Sequence, residues 1–294
     1  MPVPTQDQLL AAIAKTEKLV PAPRTLGRAL LLLRDPNSGL DSIAELIRSD
    51  SALAADVLRC ANSAYYNRQS RVAEVGTAVQ VIGFRETTRI LTLVAVQKST
   101  ARNLSSYGIT AEDFWAESLF NGLFMEALTR RVGGVDSGEA YTTGLLRFIG
   151  RLAIDQALVD TGAGISWDGQ MPLAAWERSC VGLSQGEVGE RLLRNWKFPE
   201  TIALAVGLQD EVDLPDGDLS EPLVQAAHFA AQILPAGCGL TSIDSLEGTT
   251  LACPAEHPFA QARLLTSDTV TAVCHDAHRA FVKIRETLYR PAAR

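Results

Sequence analysis

The sequence has few cysteines and no cysteine pairing pattern. Its 294 residues include five cysteines, an odd number, and no two of them form a CxxC motif. A disulfide framework or a structural zinc site needs paired or closely spaced cysteines. The wide spacing is instead typical of reduced thiols in the cytoplasm, and it separates Cys60, Cys180, Cys238, Cys253 and Cys274.

The sequence also lacks a hydrophobic run long enough to cross a membrane. Its richest apolar run, from Ala29 to Leu33, lies between Arg28 and Arg34, whereas a membrane span needs roughly 20 residues. The N-terminal segment has no basic flank before an apolar stretch, so it does not match a secretory signal. We therefore expect a soluble, cytoplasmic protein with no membrane partner.

A dense run of lysines and arginines is missing as well. The chain carries 27 basic and 34 acidic residues, a net charge of -7, which disfavours broad affinity for nucleic acid. The two short helices predicted between Ser42 and Ala61 resemble a helix-turn-helix unit, but the second one carries Asp56 and a single basic residue, Arg59. DNA binding is therefore not expected.

Alternating strand-like patterns are scarce, whereas helical patterns recur along the chain. Hydrophobic residues make up 47% of the sequence, as in a packed globular protein. Helix-capping residues precede apolar periodic stretches at Thr5, Ser42 and Thr110. The last helix is predicted from Ser267 onward, with apolar residues at helical spacing. These patterns predict an all-α protein.

Six motifs follow one another along the chain. In order, they are "LVPAPRT", "LIRSDSALAADVLRCANSAYYN", "VGTAVQVIGFRETTRIL", "FWAESLF", "GLLRFIG" and "GEVGERLLRNWKFPETIALAV". The most specific part is the run from Leu58 to Tyr66, which includes Asn62 and Ser63. In their order and spacing these motifs resemble the HDOD family, whose members are bacterial signalling relatives of the HD-domain phosphohydrolases. The resemblance covers roughly residues 19–234.

The resemblance implies a multi-helical protein with two parts. An N-terminal HDOD-specific helical part (1–105) would pack on a C-terminal, degenerate HD-like bundle (106–294). Family members are regarded as regulatory proteins that lack the full catalytic machinery, and they often lie beside sensory or cyclic-di-GMP-related modules. The implied function is signal transduction.

The residues at the family's metal-binding positions are the wrong ones for a metal. The resemblance implies that Glu117 replaces an early histidine and that Arg147 and Phe148 replace the His-Asp pair. It also implies that Gln185, Gln209 and Asp210 replace later histidines, while His228 is retained. Arginine stays protonated and has no lone pair to donate, and a glutamine oxygen is a weak ligand for transition metals. We expect no metal, no cofactor and no catalytic residues.

Arg147 leaves three possibilities open. Its guanidinium could replace the charge of the metal and pair with Glu117, and also with Asp210. It could instead turn to solvent, leaving Glu117 on a helix surface. A third possibility is that it binds a phosphate-bearing ligand, such as a nucleotide second messenger.

Other candidate residues have structural explanations. Asn62 and Ser63 are expected to end one helix and turn the chain, although an interaction role is an alternative. Cys274, His275 and His278 lie within one helical turn but lack further ligands nearby in the sequence. His257 is expected to be a loop residue.

Together these observations favour a non-catalytic HDOD signal-transduction protein that acts through contacts with unidentified signalling proteins, or through a small ligand. The alternatives are a nucleotide-sensing module, which needs an open pocket near Arg147, and a phosphohydrolase with a rebuilt active site.

Overall fold

A computed structural model describes residues 5–19, 32, 39–62, 72–99, 102–211, 221–234, 240–246 and 249–288. These residues are helical or irregular, and the β-structure among them is one isolated bridge between Leu104 and Ile109. The all-α prediction is confirmed. No helix in the described part of the chain is long and apolar enough to span a bilayer.

The described residues of the first half of the chain include six α-helices and a short 3₁₀ turn. In order, these are α1 (Gln6–Leu19), α2 (Leu40–Arg48), α3 (Ser51–Ala61), α4 (Val75–Ile82), α5 (Phe84–Ser99), the 3₁₀ turn (Ser105–Tyr107) and α6 (Ala111–Val132).

The second half continues in the same style. Its helices are α7 (Ser137–Leu146), α8 (Gly150–Asp160), α9 (Leu173–Val181), α10 (Gln185–Asn195), α11 (Glu200–Leu208), α12 (Pro222–Ile233), α13 (Leu240–Asp244), α14 (Pro258–Arg263) and α15 (Ser267–Leu288).

Two of the three predicted helix-capping residues are confirmed, and the last helix begins at Ser267 as predicted. The Thr5 backbone N–H donates to Gln8 Oε1 at 2.9 Å, and the Thr110 hydroxyl accepts from the Asp113 N–H at 3.0 Å. The start at Ser42 is wrong. Helix α2 begins two residues earlier, because Gly39 has the extended backbone of an N-cap, and Ser42 lies inside the first turn.

The helices form two groups that share contacts. Helices α2 to α5 pack against one another, and α5 also packs against α6 and α7. Helices α6, α7, α12 and α15 pack together, and α10 packs against both α8 and α11. Helix α1 packs on α8, α9 and α10, so it contacts the second half of the chain. The boundary expected near residue 105 stays a prediction.

Two glycines in the "GLLRFIG" stretch let neighbouring helices approach closely. A Cβ atom at Gly144 would lie 2.4 Å from the Asn121 carbonyl oxygen of α6. A Cβ atom at Gly150 would lie 2.0 Å from the Gln185 carbonyl oxygen of α10. Neither position accommodates a side chain without a backbone shift. The absence of side chains at these glycines therefore allows residues 144–150 to pack closely between α6 and α10.

Candidate functional site

Two arginines lie at the junction of α7 and α8: Arg147 is in the connecting turn, and Arg151 is in the first turn of α8. Backbone hydrogen bonds there span three residues, from Arg147 N–H to the Gly144 carbonyl (3.3 Å) and from Arg151 N–H to the Phe148 carbonyl (3.1 Å). The chain therefore passes through a tight helical turn. Both guanidinium carbons lie near the Phe148 ring, 4.7 Å from its centroid for Arg147 and 3.9 Å for Arg151.

The Arg147 side chain is buried and connects three other elements. Its Nη1 donates to Asn121 Oδ1 of α6 and to the Leu234 carbonyl after α12, each at 2.7 Å. Its Nη2 lies 3.5 Å from Asp210 Oδ1, beyond the end of α11. The expected contact with Asp210 is thus present, and Arg147 does not turn to solvent. Gln209 supports the turn by donating from Nε2 to the Arg147 carbonyl at 2.9 Å.

Glu117 has an ion-pair partner that the sequence did not suggest. Its Oε2 accepts from Nη1 of Arg151 at 2.9 Å, and the two side chains are 2% and 0% exposed. The expectation named Arg147 as the cation for Glu117, because Arg147 occupies the family's metal-binding position. The four-residue spacing between the two arginines was the available signal, since residues so spaced share a helix face.

A second chain of hydrogen bonds reaches Asp210 through Gln185. Gln185 donates from Nε2 to Asp210 Oδ2 at 2.8 Å and from its backbone N–H to Glu177 Oε2 at 2.6 Å. The Tyr107 hydroxyl donates to the other oxygen of Glu177 at 3.0 Å. Residues of the 3₁₀ turn, α9 and α10 are therefore connected by hydrogen bonds to Asp210. We call Arg147, together with its partners Asn121, Leu234 and Asp210, the Arg147 centre.

Glu177 is a buried carboxyl group whose pKa is strongly perturbed. Burial raises its pKa to about 7, although the Gln185 N–H, Arg151 and the Tyr107 hydroxyl act in the opposite direction. Burial, followed by the charge of Glu177, also raises the pKa of Tyr107 well above its usual range. Glu177 therefore changes its charge near neutral pH, within reach of the charge of the buried Arg151.

His228, the histidine at a family position, is bonded to a second histidine. Its Nδ1 lies 2.8 Å from His257 Nε2, and its Nε2 lies 2.8 Å from the Glu211 carbonyl. His257 is 6% exposed, and its Nδ1 accepts from the Phe259 N–H at 3.0 Å as the N-cap of α14. His257 lies in the loop before α14, as expected, but the sequence did not show that it is a buried capping residue.

The donor set does not fit a metal ion. Arg147 brings a cation into the centre, and both ring nitrogens of His228 are engaged within the protein. Gln209 uses its amide nitrogen on the Arg147 and Val206 carbonyls. Within the described residues, no three His, Cys, Asp or Glu side chains are grouped as metal ligands would be. Cys274, His275 and His278 therefore do not form such a group either.

Asn62 has a local structural role, whereas Ser63 lies outside the described residues. The Asn62 side chain accepts from the Val72 N–H and donates to the Val72 carbonyl, both at 2.7 Å. It also donates to the Leu58 carbonyl at 2.8 Å. Asn62 thus joins the end of α3 to the approach to α4.

Comparisons with known proteins agree with this architecture. A family model described as the HDOD domain matches residues 19–212, and the chain belongs to the HDOD family. The solved structure of an HDOD domain protein from Geobacter sulfurreducens is 19% identical, with a TM-score of 0.66 over 96% of this chain and 97% of that one. A candidate signal transduction protein from Marinobacter aquaeolei VT8 is 21% identical, with a TM-score of 0.67 over 96% of this chain and 63% of that one.

One sequence relative belongs to a longer protein. An uncharacterized protein of Treponema pallidum (strain Nichols) is 24% identical over 229 residues, which is 76% of this chain and 44% of the relative. The chain therefore spans less than half of that relative. At these identities the structural likeness establishes the fold, and function has to be argued from the site.

Proposed function

We propose that this chain is a non-catalytic HDOD regulatory protein of the bacterial cytoplasm that acts by binding signalling proteins. Its HD-like centre is then a structural centre, in which Arg147 holds together the helices that a metal would otherwise join. The links to signal transduction and to cyclic-di-GMP-related pathways come from the family resemblance.

The contacts of Arg147 carry the proposal. A buried guanidinium that donates to an amide oxygen, a backbone carbonyl and a carboxylate connects α6, α11 and α12 through protein groups alone. Buried charges persist where they are paired and hydrogen-bonded. A cation in this place opposes the binding of a second cation and cannot activate a water molecule as a metal does.

The same contacts disfavour nucleotide sensing at this position. A phosphate would have to displace Asn121, Leu234 and Asp210 from the guanidinium. Arg147 is 3% exposed, and its two Nη atoms already face protein acceptors. We therefore favour protein contacts over a phosphate ligand at Arg147.

Metal analysis combined with a hydrolysis assay tests the proposal. The full chain, purified without chelator, is assayed on p-nitrophenyl phosphate and bis-p-nitrophenyl phosphate with added Mn²⁺. We expect no stoichiometric metal and no hydrolysis that depends on the centre. The matched variants are His228→Asn and Asp210→Asn. Hydrolysis lost in both variants would overturn the proposal, whereas hydrolysis unchanged in both marks a contaminant and leaves the expected result standing.

A further inference from the structure

The hydrogen bonds around His228 and His257 fix where the protons lie. A backbone N–H can only donate, so His257 Nδ1 must accept from Phe259. A carbonyl can only accept, so His228 Nε2 must donate to Glu211. The remaining contact, between His257 Nε2 and His228 Nδ1 at 2.8 Å, then has one consistent solution: His257 donates and His228 accepts.

This arrangement is satisfied only when both rings are neutral. A proton added at His257 Nδ1 would face the Phe259 N–H, and α14 would lose the acceptor that caps its first turn. A proton added at His228 Nδ1 would face the proton on His257 Nε2. In each case two donors meet within a buried site, so one hydrogen bond must break.

No ring nitrogen of the pair is bonded to a carboxylate, the partner that most often keeps an imidazolium charged inside a protein. Helix α12 packs against α6, α7, α11 and α14. The charged residues of these elements and of the described residues 209–211 are Glu112, Asp113, Glu117, Glu126, Arg130, Arg131, Glu139, Glu200, Asp210, Glu211 and Arg263. Glu117 and Asp210 are paired with Arg151 and Arg147. Glu211 is paired with Arg178.

The pair is joined to the Arg147 centre through residues 209–211. Gln209 and Asp210 contact Arg147, and the next residue, Glu211, supplies the carbonyl that accepts from His228. A change at the histidine pair therefore acts on the same three residues that hold Arg147.

We propose that His228 and His257 form an acid-sensitive latch, which fastens α12 and α14 to residues 209–211 while both rings are neutral and releases them when either ring is protonated. This goes beyond the proposed function, because it adds a proton-dependent control to the centre. In support, burial and the neighbouring His228 lower the pKa of His257 to about 4.

The first measurement is the tautomer of each ring in ¹⁵N-histidine-labelled full-length protein. The chain has four histidines, so single substitutions assign the spectrum. At about pH 7.5 we expect Nδ1 of both His228 and His257 to be unprotonated and both Nε2 atoms to carry the proton. A proton on His257 Nδ1 under these conditions would overturn the proposal. This measurement needs only the wild-type fold.

The second measurement compares stability across pH in wild type and His257→Asn. Asparagine keeps an acceptor for the Phe259 N–H but does not titrate. At pH values above about 6.5, the usual pKa of histidine, neutral His257 stabilises the fold. This contribution is lost as the pH falls from about 6.5 to the folded-state pKa of about 4. The unfolding constant of wild type, divided by that of the variant, should therefore rise on the order of fiftyfold between about pH 7.5 and 4.5.

The matched control is Gln261→Asn on α14, an exposed position without a titratable group, whose ratio to wild type should stay constant over the same range. A constant ratio for His257→Asn, or an equal rise for Gln261→Asn, would overturn the latch. The unfolding constant of wild type is divided by that of a variant because Glu177 titrates in the same pH range and has the opposite effect on stability. The division removes the contribution of Glu177, which both proteins share.

Discussion

Arg147 and Arg151 lie four residues apart against the same phenylalanine ring, but they are stabilised in different ways. Arg147 donates to two neutral oxygens, and its carboxylate partner, Asp210, is 3.5 Å away and 20% exposed. Arg151 is bonded at 2.9 Å to Glu117, which is 2% exposed. One guanidinium joins helices through hydrogen bonds, and the other is a buried charge with a buried counter-charge.

The different partners of Arg147 and Arg151 indicate which of their contacts the stability of the fold depends on. A buried ion pair contributes little net free energy, but removing one member is costly because the other charge stays behind. A guanidinium bonded to neutral acceptors stabilises the fold mainly by satisfying those acceptors. If the guanidinium is removed, each acceptor becomes a buried polar group without a hydrogen-bond donor. The two arginines should therefore respond differently to removal of their partners.

Removing the carboxylate of Glu117 should have the largest effect. Glu117→Leu leaves Arg151 buried beside an apolar side chain, and we expect a loss of about 3–5 kcal/mol in the free energy of unfolding. Urea denaturation of the full chain measures this. A loss below about 1 kcal/mol would mean that Arg151 does not depend on Glu117.

The double variant Glu117→Leu/Arg151→Met separates charge from packing. With both charges removed, most of the lost stability should return, because two apolar side chains can replace a buried ion pair at little cost. If the double variant is as unstable as Glu117→Leu, the loss comes from packing, and the buried-charge explanation is wrong.

Arg147→Met should have the next largest effect. The substitution removes the donor to Asn121 and to the Leu234 carbonyl, and both acceptors are buried. We expect a loss of about 2–3 kcal/mol by urea denaturation. Arg191→Met, on the exposed side of α10, is the matched control and should change stability by less than about 0.5 kcal/mol. Equal losses in the two variants would contradict the connecting role of Arg147.

Glu177→Gln should alter how stability depends on pH. Glu177 has a folded-state pKa of about 7, above its usual value, so its neutral form stabilises the fold below about pH 4.5 and that contribution is lost as pH rises towards 7. The groups that face this carboxyl are Tyr107, Arg151, Asp210 and the Gln185 N–H. Relative to wild type, Glu177→Gln should gain about 2 kcal/mol between these limits.

His257 acts in the opposite direction over nearly the same range. Its contribution increases with pH, whereas that of Glu177 decreases, so the two contributions oppose each other between about pH 4.5 and 7. Opposite slopes in Glu177→Gln and His257→Asn, each measured relative to wild type, would support both assignments. Parallel slopes in the two variants would contradict at least one of them.

The helical fold was predictable because its signals are local. The capping residues Thr5 and Thr110 act on backbone groups within one turn, so the sequence alone reveals them. The failure at Ser42 was also local. Gly39 supplies the extended residue that begins α2, and the motif at Ser42 and Glu45 does not show that the helix has already started.

The partners within the site were less predictable because they depend on tertiary contacts. Arg147 was identified from its place in a family motif, but its acceptors on Asn121 and Leu234 come from segments 26 and 87 residues away. The bond between His228 and His257 spans 29 residues. Composition and periodicity carry no information about such distances, and so His257 looked like an ordinary loop residue.

The smallest effect should come from Asp210, the carboxylate partner of Arg147. Asp210→Asn removes one charge at 3.5 Å from Arg147 in a partly exposed position. The amide oxygen of the asparagine can take the place of Oδ2, which accepts from Gln185. We expect a loss below about 1 kcal/mol. Glu117→Gln is the matched isosteric change at the other arginine, and it should cost at least about 1 kcal/mol more, because Arg151 has no solvent to replace the lost charge. If the two isosteric variants are equally destabilising, Asp210 is as strong a counter-ion as Glu117. The two arginines would then be stabilised in the same way, and Arg147 would be a paired charge first and a connector of helices second.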